Sequence, residues 1–416
     1  MLTSLRRLSA LPSRLALLLA LAVALPACDS TTPGPTDEIV FGLNYSRLFA
    51  PATAAEISDV QAEWTARNTS SSPATIVGET TIDGARVLIA RHDVTAVGCG
   101  DNVTNFVAVR IPSGLTSAAP LLVVHHGGDN GFNVGVGAGT DDQTANTSLV
   151  RWVAAFPDLA AQTVQAWPVY RSEELRTTGY AALGGPYVAG GMESPWDCDV
   201  DDAIATVQAI AAALPAEVDA SRRAAIGFSR GGNTAALHTI RDPQMAALVD
   251  YYGPTDFYNN GAQLLATGVL GGSSAALRLP GATYLRDNVL QPLVGAGGVY
   301  NPDADYAGAR LEVARRSASL FTPALPDTQV HHHYRDGVVP FAFSQAFQAG
   351  ATARGTGGSF TLFPYGTPTS PGDTATDAMF HAPESLPTSL PEVQTFLLSA
   401  LDAGTARPAP ALALAY

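Results

Sequence analysis

From Arg86 onward, short apolar runs alternate with stretches whose apolar residues recur at helical spacing. Several of these runs are almost continuously apolar, which is typical of strands buried on both faces of a sheet. The alternation predicts an α/β fold with a mostly parallel central sheet and helices on both of its faces. The predicted strands are residues 87–93, 106–111, 121–125, 163–170, 224–228, 247–252, 328–332 and 360–363. The predicted helices are residues 202–213, 231–241, 341–349 and 390–401.

Two parts of the chain depart from this alternation. Residues 37–80 are less patterned, and only 56–67 are predicted as a helix on the outside of the domain. Residues 258–320 lie between the sixth and seventh predicted strands and are rich in Ala, Leu and Gly. An insertion above the carboxyl ends of the strands commonly covers a ligand site, so this segment is predicted to be a helical lid. A peripheral helical decoration is the alternative.

The first residues predict an export signal. Arginines precede the apolar run 15–25, and small residues follow it, as in a secretory signal peptide of residues 1–27. Cys28 directly after this site resembles the lipidated cysteine of bacterial lipoproteins, whereas Pro26 departs from that pattern and leaves ordinary secretion as the alternative. Residues 28–36 are predicted to be a flexible tether, and residues 37–416 to form the α/β domain. We therefore expect a cell-envelope lipoprotein, held at a membrane only by its N-terminal anchor.

The net charge and the cysteine count indicate which class of partner to exclude and whether the cysteines form a disulfide. The chain carries 23 basic residues, all arginine, against 37 acidic residues, for a net charge of −14. This balance argues against nucleic acid as a partner. If Cys28 carries lipid, Cys99 and Cys198 remain, and an exported chain with one remaining pair predicts a disulfide between them. The alternative is two unrelated thiols. The oligomeric state does not follow from the sequence.

The sequence Gly227-Phe228-Ser229-Arg230-Gly231 lies between a predicted strand and a predicted helix. Gly-x-Ser-x-Gly in that context is typical of a nucleophilic serine on a strained strand-to-helix turn. Only small residues fit two places before and after the serine, and Gly227 and Gly231 meet this requirement. The turn also places the next backbone N–H at a helix N-terminus, where it can bind an oxyanion.

A nucleophilic serine requires a base and a group that orients the base. In the chain order serine, acid, histidine, Asp336 follows the seventh predicted strand and is the candidate acid. Asp256, after the sixth strand, is its rival, and a turn-holding role is its alternative. His381 is the candidate base, because no other histidine follows Asp336. A surface histidine is the other interpretation of His381.

The oxyanion donors are predicted to be the backbone amides of Gly127 or Gly128, in the loop after the third strand, together with that of Arg230. The Arg230 side chain either pairs with a nearby carboxylate or binds an anionic part of a substrate. His331, His332 and His333 are adjacent on a strand, so that they point to opposite faces and cannot converge on one metal ion. We therefore predict no metal site and no cofactor.

The acidic cluster Asp197, Asp199, Asp201 and Asp202 precedes a predicted helix. We predict that Asp201 and Asp202 cap this helix rather than bind a metal.

The segment 218–232 resembles the segment through the nucleophile of prolyl oligopeptidase-like and dienelactone hydrolase-like α/β-hydrolases. Residues 168–173, 241–243 and 252–257 are similar to other segments of these families, and the resemblance covers roughly Leu121 to Pro383. It implies an α/β-hydrolase fold and Ser229, Asp336 and His381 as the catalytic triad. About 80 residues precede the first strands, too few for the β-propeller of prolyl oligopeptidases, and dienelactone hydrolases have cysteine in place of Ser229.

These departures favour a serine esterase acting on a small-molecule ester. The two alternatives are a peptidase acting on short peptides and a non-catalytic binding lipoprotein on a hydrolase scaffold.

Overall fold

The computed structural model describes residues 38–128, 131–137, 144–274, 276–367, 380–386 and 388–403. The predicted signal peptide, the tether and Cys28 lie outside these residues. No helix in the described part of the chain is long and apolar enough to cross a membrane.

In the described part of the chain, ten strands form one sheet. They are β1 (Ser70–Ser71), β2 (Thr75–Ile82), β3 (Ala85–Ala96), β4 (Gly100–Ile111), β5 (Ala119–His125), β6 (Val164–Pro168), β7 (Val218–Phe228), β8 (Met245–Tyr251), β9 (Asp327–His333) and β10 (Phe360–Tyr365). Their order is β10-β9-β8-β7-β5-β6-β4-β3-β1, with β2 paired to β3. The strands from β5 to β10 pair in parallel, whereas those before β5 pair antiparallel. The predicted mostly parallel sheet is confirmed.

The register of the central strands brings several polar residues to one edge of the sheet. Gly227 at the end of β7 pairs with His125 at the end of β5, and Phe228 pairs with Tyr251 at the end of β8. Tyr251 in turn pairs with His331 near the end of β9. Because all four strands are parallel, the loops that follow them emerge side by side.

Nine helices of six or more residues are described. They are α1 (Ala54–Ala66), α2 (Leu149–Ala155), α3 (Pro157–Gln162), α4 (Cys198–Ala213), α5 (Arg230–Arg241), α6 (Asn260–Leu270), α7 (Tyr306–Arg315), α8 (Ala342–Arg354) and α9 (Ser389–Asp402). Shorter helical segments are Tyr45–Leu48, Ala181–Leu183, Ala276–Arg278, Ala282–Leu285, Arg286–Leu290, Gln291–Leu293, Ala318–Leu320, Thr322–Ala324 and Pro383–Ser385. The other described strands have two or three residues each and are Ile39–Val40, Leu43–Asn44, Phe132–Asn133, Glu174–Arg176, Tyr187–Val188, Val294–Gly295 and Val299–Tyr300.

The capping prediction for Asp201 and Asp202 is wrong. Helix α4 begins at Cys198, so that both aspartates lie inside the helix, and the N-cap Asp197 makes no side-chain capping bond. Pairing with arginines explains why acidic residues lie inside the helix rather than at its cap. Asp201 accepts hydrogen bonds from Arg67 and Arg241, and these buried ion pairs satisfy its carboxylate away from the helix end.

Alternate side chains along the strands enter two separate cores, one on each face of the sheet. Leu121 and Val123 of β5 belong to the first core, and Leu122 and Val124 belong to the second. Helices α4 and α5 cover the first face through residues such as Ile210, whereas α2, α3 and α9 cover the second face. Burial on both faces explains why the sequences of these strands are almost continuously apolar.

A disulfide joins Cys99, at the turn between β3 and β4, to Cys198 at the start of α4. The segment predicted as a lid contains α6, α7 and the short helical segments between them. Its lid role stays a prediction, as do the limits of the domain.

Candidate active site

Ser229 lies at the turn between β7 and α5, where it is the N-cap of the helix. Its backbone has φ 54° and ψ −125°, a conformation that is strained for any residue other than glycine. Its N–H donates to the carbonyl oxygen of Tyr251, and its own carbonyl oxygen accepts from the Gly232 N–H at 2.8 Å. These bonds hold the serine between the ends of β7 and β8, with the hydroxyl at the sheet edge.

The two glycines flanking this turn are required by close backbone contacts. A Cβ atom on Gly227 would overlap the carbonyl group of Gly231 and lie 2.8 Å from the Ala235 side chain. A Cβ atom on Gly231 would overlap the carbonyl oxygens of His125 and His126. The spacing around Ser229 therefore follows from the tight packing of α5 against the ends of β5 and β7.

His381 and Asp336 form a hydrogen-bonded pair. Nδ1 of His381 lies 2.7 Å from Oδ2 of Asp336, and the other carboxylate oxygen accepts the N–H groups of Val338 and Val339 at 2.7 and 3.0 Å. Burial disfavours ionisation of this carboxyl, but the imidazoles of His381 and His332 outweigh it and hold the pKa of Asp336 well below its ordinary value. The carboxylate is thus fixed in place and charged.

Among the described contacts, none joins the carboxylate of Asp256 to His381. It accepts a hydrogen bond from the Tyr258 N–H at 2.7 Å and another from the Ser319 hydroxyl at 2.6 Å. These are the contacts of a residue that holds a turn.

The three adjacent histidines have separate surroundings. His331 bonds to the Tyr365 hydroxyl at 2.9 Å, and the ring of His333 stacks on Phe380. His332 bonds to the Ser344 hydroxyl at 2.7 Å, and its Nε2 lies 3.4 Å from the Asp336 carboxylate. Sequence reasoning missed this second imidazole beside Asp336, although the alternation of side chains along β9 separates His332 from its two neighbours.

A metal-like cluster among the described residues consists of Cys99, Cys198 and Asp201. Its two cysteines are joined in the disulfide, so that neither thiolate is free to ligate an ion.

Asn146 and Tyr252 hold His381 beside the end of β8. The Tyr252 hydroxyl donates to Oδ1 of Asn146 at 2.7 Å, and the amide nitrogen of Asn146 donates to the His381 carbonyl oxygen at 3.3 Å. The Tyr252 ring also packs against the imidazole, with centroids 4.3 Å apart. The described contacts include no direct hydrogen bond between Ser229 and His381. In hydrolases this bond often tightens only when substrate binds.

The predicted oxyanion donors differ in their hydrogen bonding. The N–H of Gly127 donates to the carbonyl oxygen of Asn146 at 3.0 Å. A Cβ atom on Gly127 would lie 3.2 Å from Cβ of Ser229, a tight contact, so that a glycine here eases close approach to the serine. Gly128 follows with φ +75°. Arg230 is the first residue of α5, where backbone N–H groups have no partner within the helix.

The Arg230 side chain has a structural role. Its guanidinium is buried between the carboxylates of Glu173 and Asp199, with Nη2 2.6 Å from Asp199 Oδ2, and it lies over the Tyr170 ring. Burial opposes its charge, but the two carboxylates outweigh burial and raise the pKa of Arg230. Of the two predicted roles, pairing with a carboxylate is the one that the contacts support.

Further buried ion pairs continue along α4. Arg171 forms two hydrogen bonds with Asp202, and Arg67 pairs with Asp197 at 2.6 Å. The acidic cluster therefore pairs with arginines from separate segments of the chain.

The order of the strands, their parallel pairing and the strained serine between β7 and α5 together decide the architecture. The chain has the α/β-hydrolase fold.

Comparison with solved structures finds chains that are partly similar to this one. An acetyl xylan esterase from Paenibacillus sp. R4 shares 13% identity over 86% of this chain and 99% of its own, with a TM-score of 0.49. A rice cell wall degrading esterase from Xanthomonas oryzae shares 16% identity over 79% of this chain and 98% of its own, with a TM-score of 0.48. A puromycin-hydrolyzing peptidase from Mycobacterium tuberculosis shares 16% identity over 78% of this chain and 47% of its own, with a TM-score of 0.43. No protein-family model and no curated protein matches the sequence.

Proposed function

We propose that this protein is an exported serine hydrolase that cleaves carboxylic esters through an acyl-enzyme. The observation that carries the proposal is the strained Ser229 turn at the same sheet edge as the 2.7 Å pair of His381 and Asp336. A nucleophile on a strained turn and a base oriented by a buried carboxylate are the two parts that acyl transfer by serine needs.

In the proposed reaction, Nε2 of His381 takes the proton of the Ser229 hydroxyl as Oγ attacks the ester carbonyl carbon. Asp336 keeps the other ring nitrogen protonated and stabilises the imidazolium. The N–H groups of Arg230 and Gly128 stabilise the oxyanion, each contributing about 3 kcal/mol in comparable sites. His381 then gives its proton to the leaving alcohol, and a water molecule, activated in the same way, releases the acid from Ser229.

The proposed export rests on the sequence alone. Residues 1–27 carry the features of a signal peptide, and Cys28 is the proposed site of lipidation. The proposed activity requires no cofactor and no nucleic acid. Membrane fractionation of cells that express the wild type and Cys28→Ser tests the anchor. We expect the variant to leave the membrane fraction.

The activity is tested by hydrolysis of a panel of p-nitrophenyl esters and aminoacyl anilides, with the wild type and Ser229→Ala. We expect ester turnover that disappears in the variant, and labelling of the wild type alone by a fluorophosphonate. Anilide turnover exceeding ester turnover would move the assignment to a peptidase. A folded wild type that neither reacts with the fluorophosphonate nor hydrolyses any ester would support a non-catalytic binding protein instead.

A further inference from the structure

An apolar cavity lies beside Ser229. Its volume is about 230 Å³, and α6 and the residues after it form one side, with Leu264, Leu265 and Leu279 in its lining. Val338, Val339 and Pro340, from the segment after Asp336, also line it. We call this space the acyl cavity.

An aromatic cluster forms one wall of the acyl cavity. The rings of Trp196 and Phe257 pack with centroids 4.9 Å apart, and Phe257 also contacts Phe343 at 6.2 Å. The Trp196 indole N–H donates to the carbonyl oxygen of Arg230 at 2.9 Å, which ties the wall to the nucleophile turn. The wall therefore has a fixed position relative to Ser229.

A second, smaller cavity shares part of its lining with the first. Its volume is about 30 Å³, and apart from the Arg316 side chain it is lined by apolar groups such as Val269, Val289 and Leu290. Phe257 and Leu265 line both cavities. On α6, Leu264 lines only the acyl cavity and Val269 only the second, so that Leu265 lies where the two faces of the helix meet.

We propose that the acyl cavity binds the apolar acyl chain of an ester substrate, and that Leu265 limits the length of this chain by separating the acyl cavity from the second cavity. This inference rests on the proposed function, since it assigns the substrate class of the same site. An apolar lining with few polar groups favours a hydrocarbon over a sugar or a charged group.

The position of the cavity distinguishes the acyl group from the alcohol. A leaving alcohol takes its proton from His381 and therefore lies beside the imidazole. The described lining of the acyl cavity contains Ser229 and Arg230 but not His381. The acid part of the ester, which stays attached to Ser229 Oγ after the alcohol leaves, is the part that this cavity receives.

The position of Leu265 between the two cavities predicts a measurable limit on the length of the acyl chain. Each methylene buried in an apolar site contributes about 0.8 kcal/mol, or roughly fourfold in kcat/KM. In the wild type, kcat/KM should rise with acyl length until the chain reaches Phe257 and Leu265, and then fall. Leu265→Ala removes the side chain between the cavities and opens the second cavity to the substrate.

The experiment measures kcat/KM for p-nitrophenyl esters of increasing acyl length, so that the leaving group stays constant. We expect Leu265→Ala to move the optimum to a longer chain, with roughly tenfold or more gain on esters two or more carbons beyond the wild-type optimum. Leu265→Val, a smaller deletion, should move it less in the same direction, and Leu265→Trp should move it to shorter chains. The matched control is Leu290→Ala, which makes the same deletion at a residue that lines only the second cavity and should keep the wild-type optimum.

Each contrary result has a distinct meaning. An unchanged optimum in folded Leu265→Ala and Leu265→Trp, or an equal shift in Leu290→Ala, would overturn the assignment of Leu265. A wild type whose rates ignore acyl length but respond to the chain of the alcohol, in a series of alkyl acetates, would overturn the acyl assignment. A wild type without ester turnover and without fluorophosphonate labelling would overturn the proposed function itself.

Discussion

Nδ1 of His381 and Oδ2 of Asp336 lie 2.7 Å apart, although 45 residues separate them in the chain. The second oxygen of the same carboxylate accepts two backbone N–H groups from the loop that follows it. This arrangement fixes both the orientation of the imidazole and its tautomer, because Nδ1 must carry the proton that it donates to the carboxylate.

Asp336→Asn should reduce kcat of the proposed esterase by about 10⁴-fold. The amide can donate a hydrogen bond to Nδ1 and thus favour the tautomer in which Nε2 is protonated and unable to act as a base. The variant should fold, because an asparagine side chain has the same shape and can still accept the N–H groups of Val338 and Val339. Steady-state kinetics with one p-nitrophenyl ester and a thermal melt measure both effects.

Asp256→Asn is the matched control for this prediction. The Asp256 carboxylate accepts hydrogen bonds from the Tyr258 N–H and the Ser319 hydroxyl. In the described contacts it takes no part in orienting His381. We expect this variant to keep kcat within about threefold of the wild type. A large loss of kcat in Asp256→Asn together with an active Asp336→Asn would exchange the roles of the two residues.

Much of this architecture could be predicted from the sequence. The strands buried on both faces give continuous apolar runs, and each of the eight predicted strands corresponds to a strand of the sheet. Strand β2 (Thr75–Ile82) was less evident because five of its eight residues are exposed, and it pairs on one side only, with β3. The serine turn could be located because its glycines are required by backbone contacts that few other sequences satisfy.

The surroundings of the site were harder to predict. The position of Asn146 gives no local signal, and its bonds to Tyr252 and His381 join residues that are distant in sequence. The acidic cluster at the start of α4 has the composition of a helix cap, and only the fold brings Arg67 and Arg241 to Asp201. Local patterns thus predict elements, whereas long-range ion pairs decide the roles of these charged side chains.

Arg230→Gln should lower the free energy of unfolding by about 3–5 kcal/mol. The substitution leaves the carboxylates of Glu173 and Asp199 buried without their cation, and this uncompensated charge is the main cost. Because the contacts of the guanidinium are internal, the remaining activity should fall equally on neutral and on anionic esters. Urea denaturation and kinetics on a matched pair of such esters test both expectations.

Arg222→Gln is the control for the cost of losing an ion pair. Arg222 contacts Asp219 at 2.7 Å, but both side chains are about 30% exposed (29% and 30%), so that water compensates for the lost contact. We expect a change of less than about 1 kcal/mol. Equal destabilisation by the two variants would contradict the importance of burial at Arg230, and a selective loss of anionic ester turnover would instead make Arg230 a substrate-binding residue.

Asp250, in β8, should make stability depend on pH. Its side chain is fully buried, one oxygen accepts the Gly253 N–H at 2.8 Å, and Oδ2 has no hydrogen-bond partner among the described residues. Burial raises the pKa of Asp250 to about 7 against the opposing effects of the Gly253 N–H and of His332. The folded protein therefore keeps a proton that the unfolded chain, with an ordinary carboxyl pKa of 3.8, releases.

The sign of the effect follows from this difference in proton binding. Between pH 4 and pH 7 the folded state binds more protons at this site, so its contribution to stability falls as pH rises and is lost above pH 7. Asp250→Asn cannot ionise, and its stability relative to the wild type should increase by on the order of 4 kcal/mol between pH 4 and pH 8. Urea denaturation of both proteins at each pH measures this difference, which cancels the other titrating groups. A constant difference across the range would show that Asp250 is ionised in the folded protein.

Reduction of the Cys99–Cys198 disulfide should destabilise the fold by about 2–5 kcal/mol. The cysteines are 99 residues apart, so the bond closes a long loop of the unfolded chain, and closing a long loop restricts the unfolded state strongly. The bond also lies beside the ion pairs of α4, since the carbonyl oxygen of Cys99 accepts a hydrogen bond from Arg171. Thermal melts with and without dithiothreitol test the wild type, and Cys99→Ala/Cys198→Ala should show the lower melting temperature under both conditions. Labelling of both cysteines by a maleimide in the unfolded, unreduced protein would contradict the bond itself, whereas equal melting temperatures with and without complete reduction would contradict its stabilising effect.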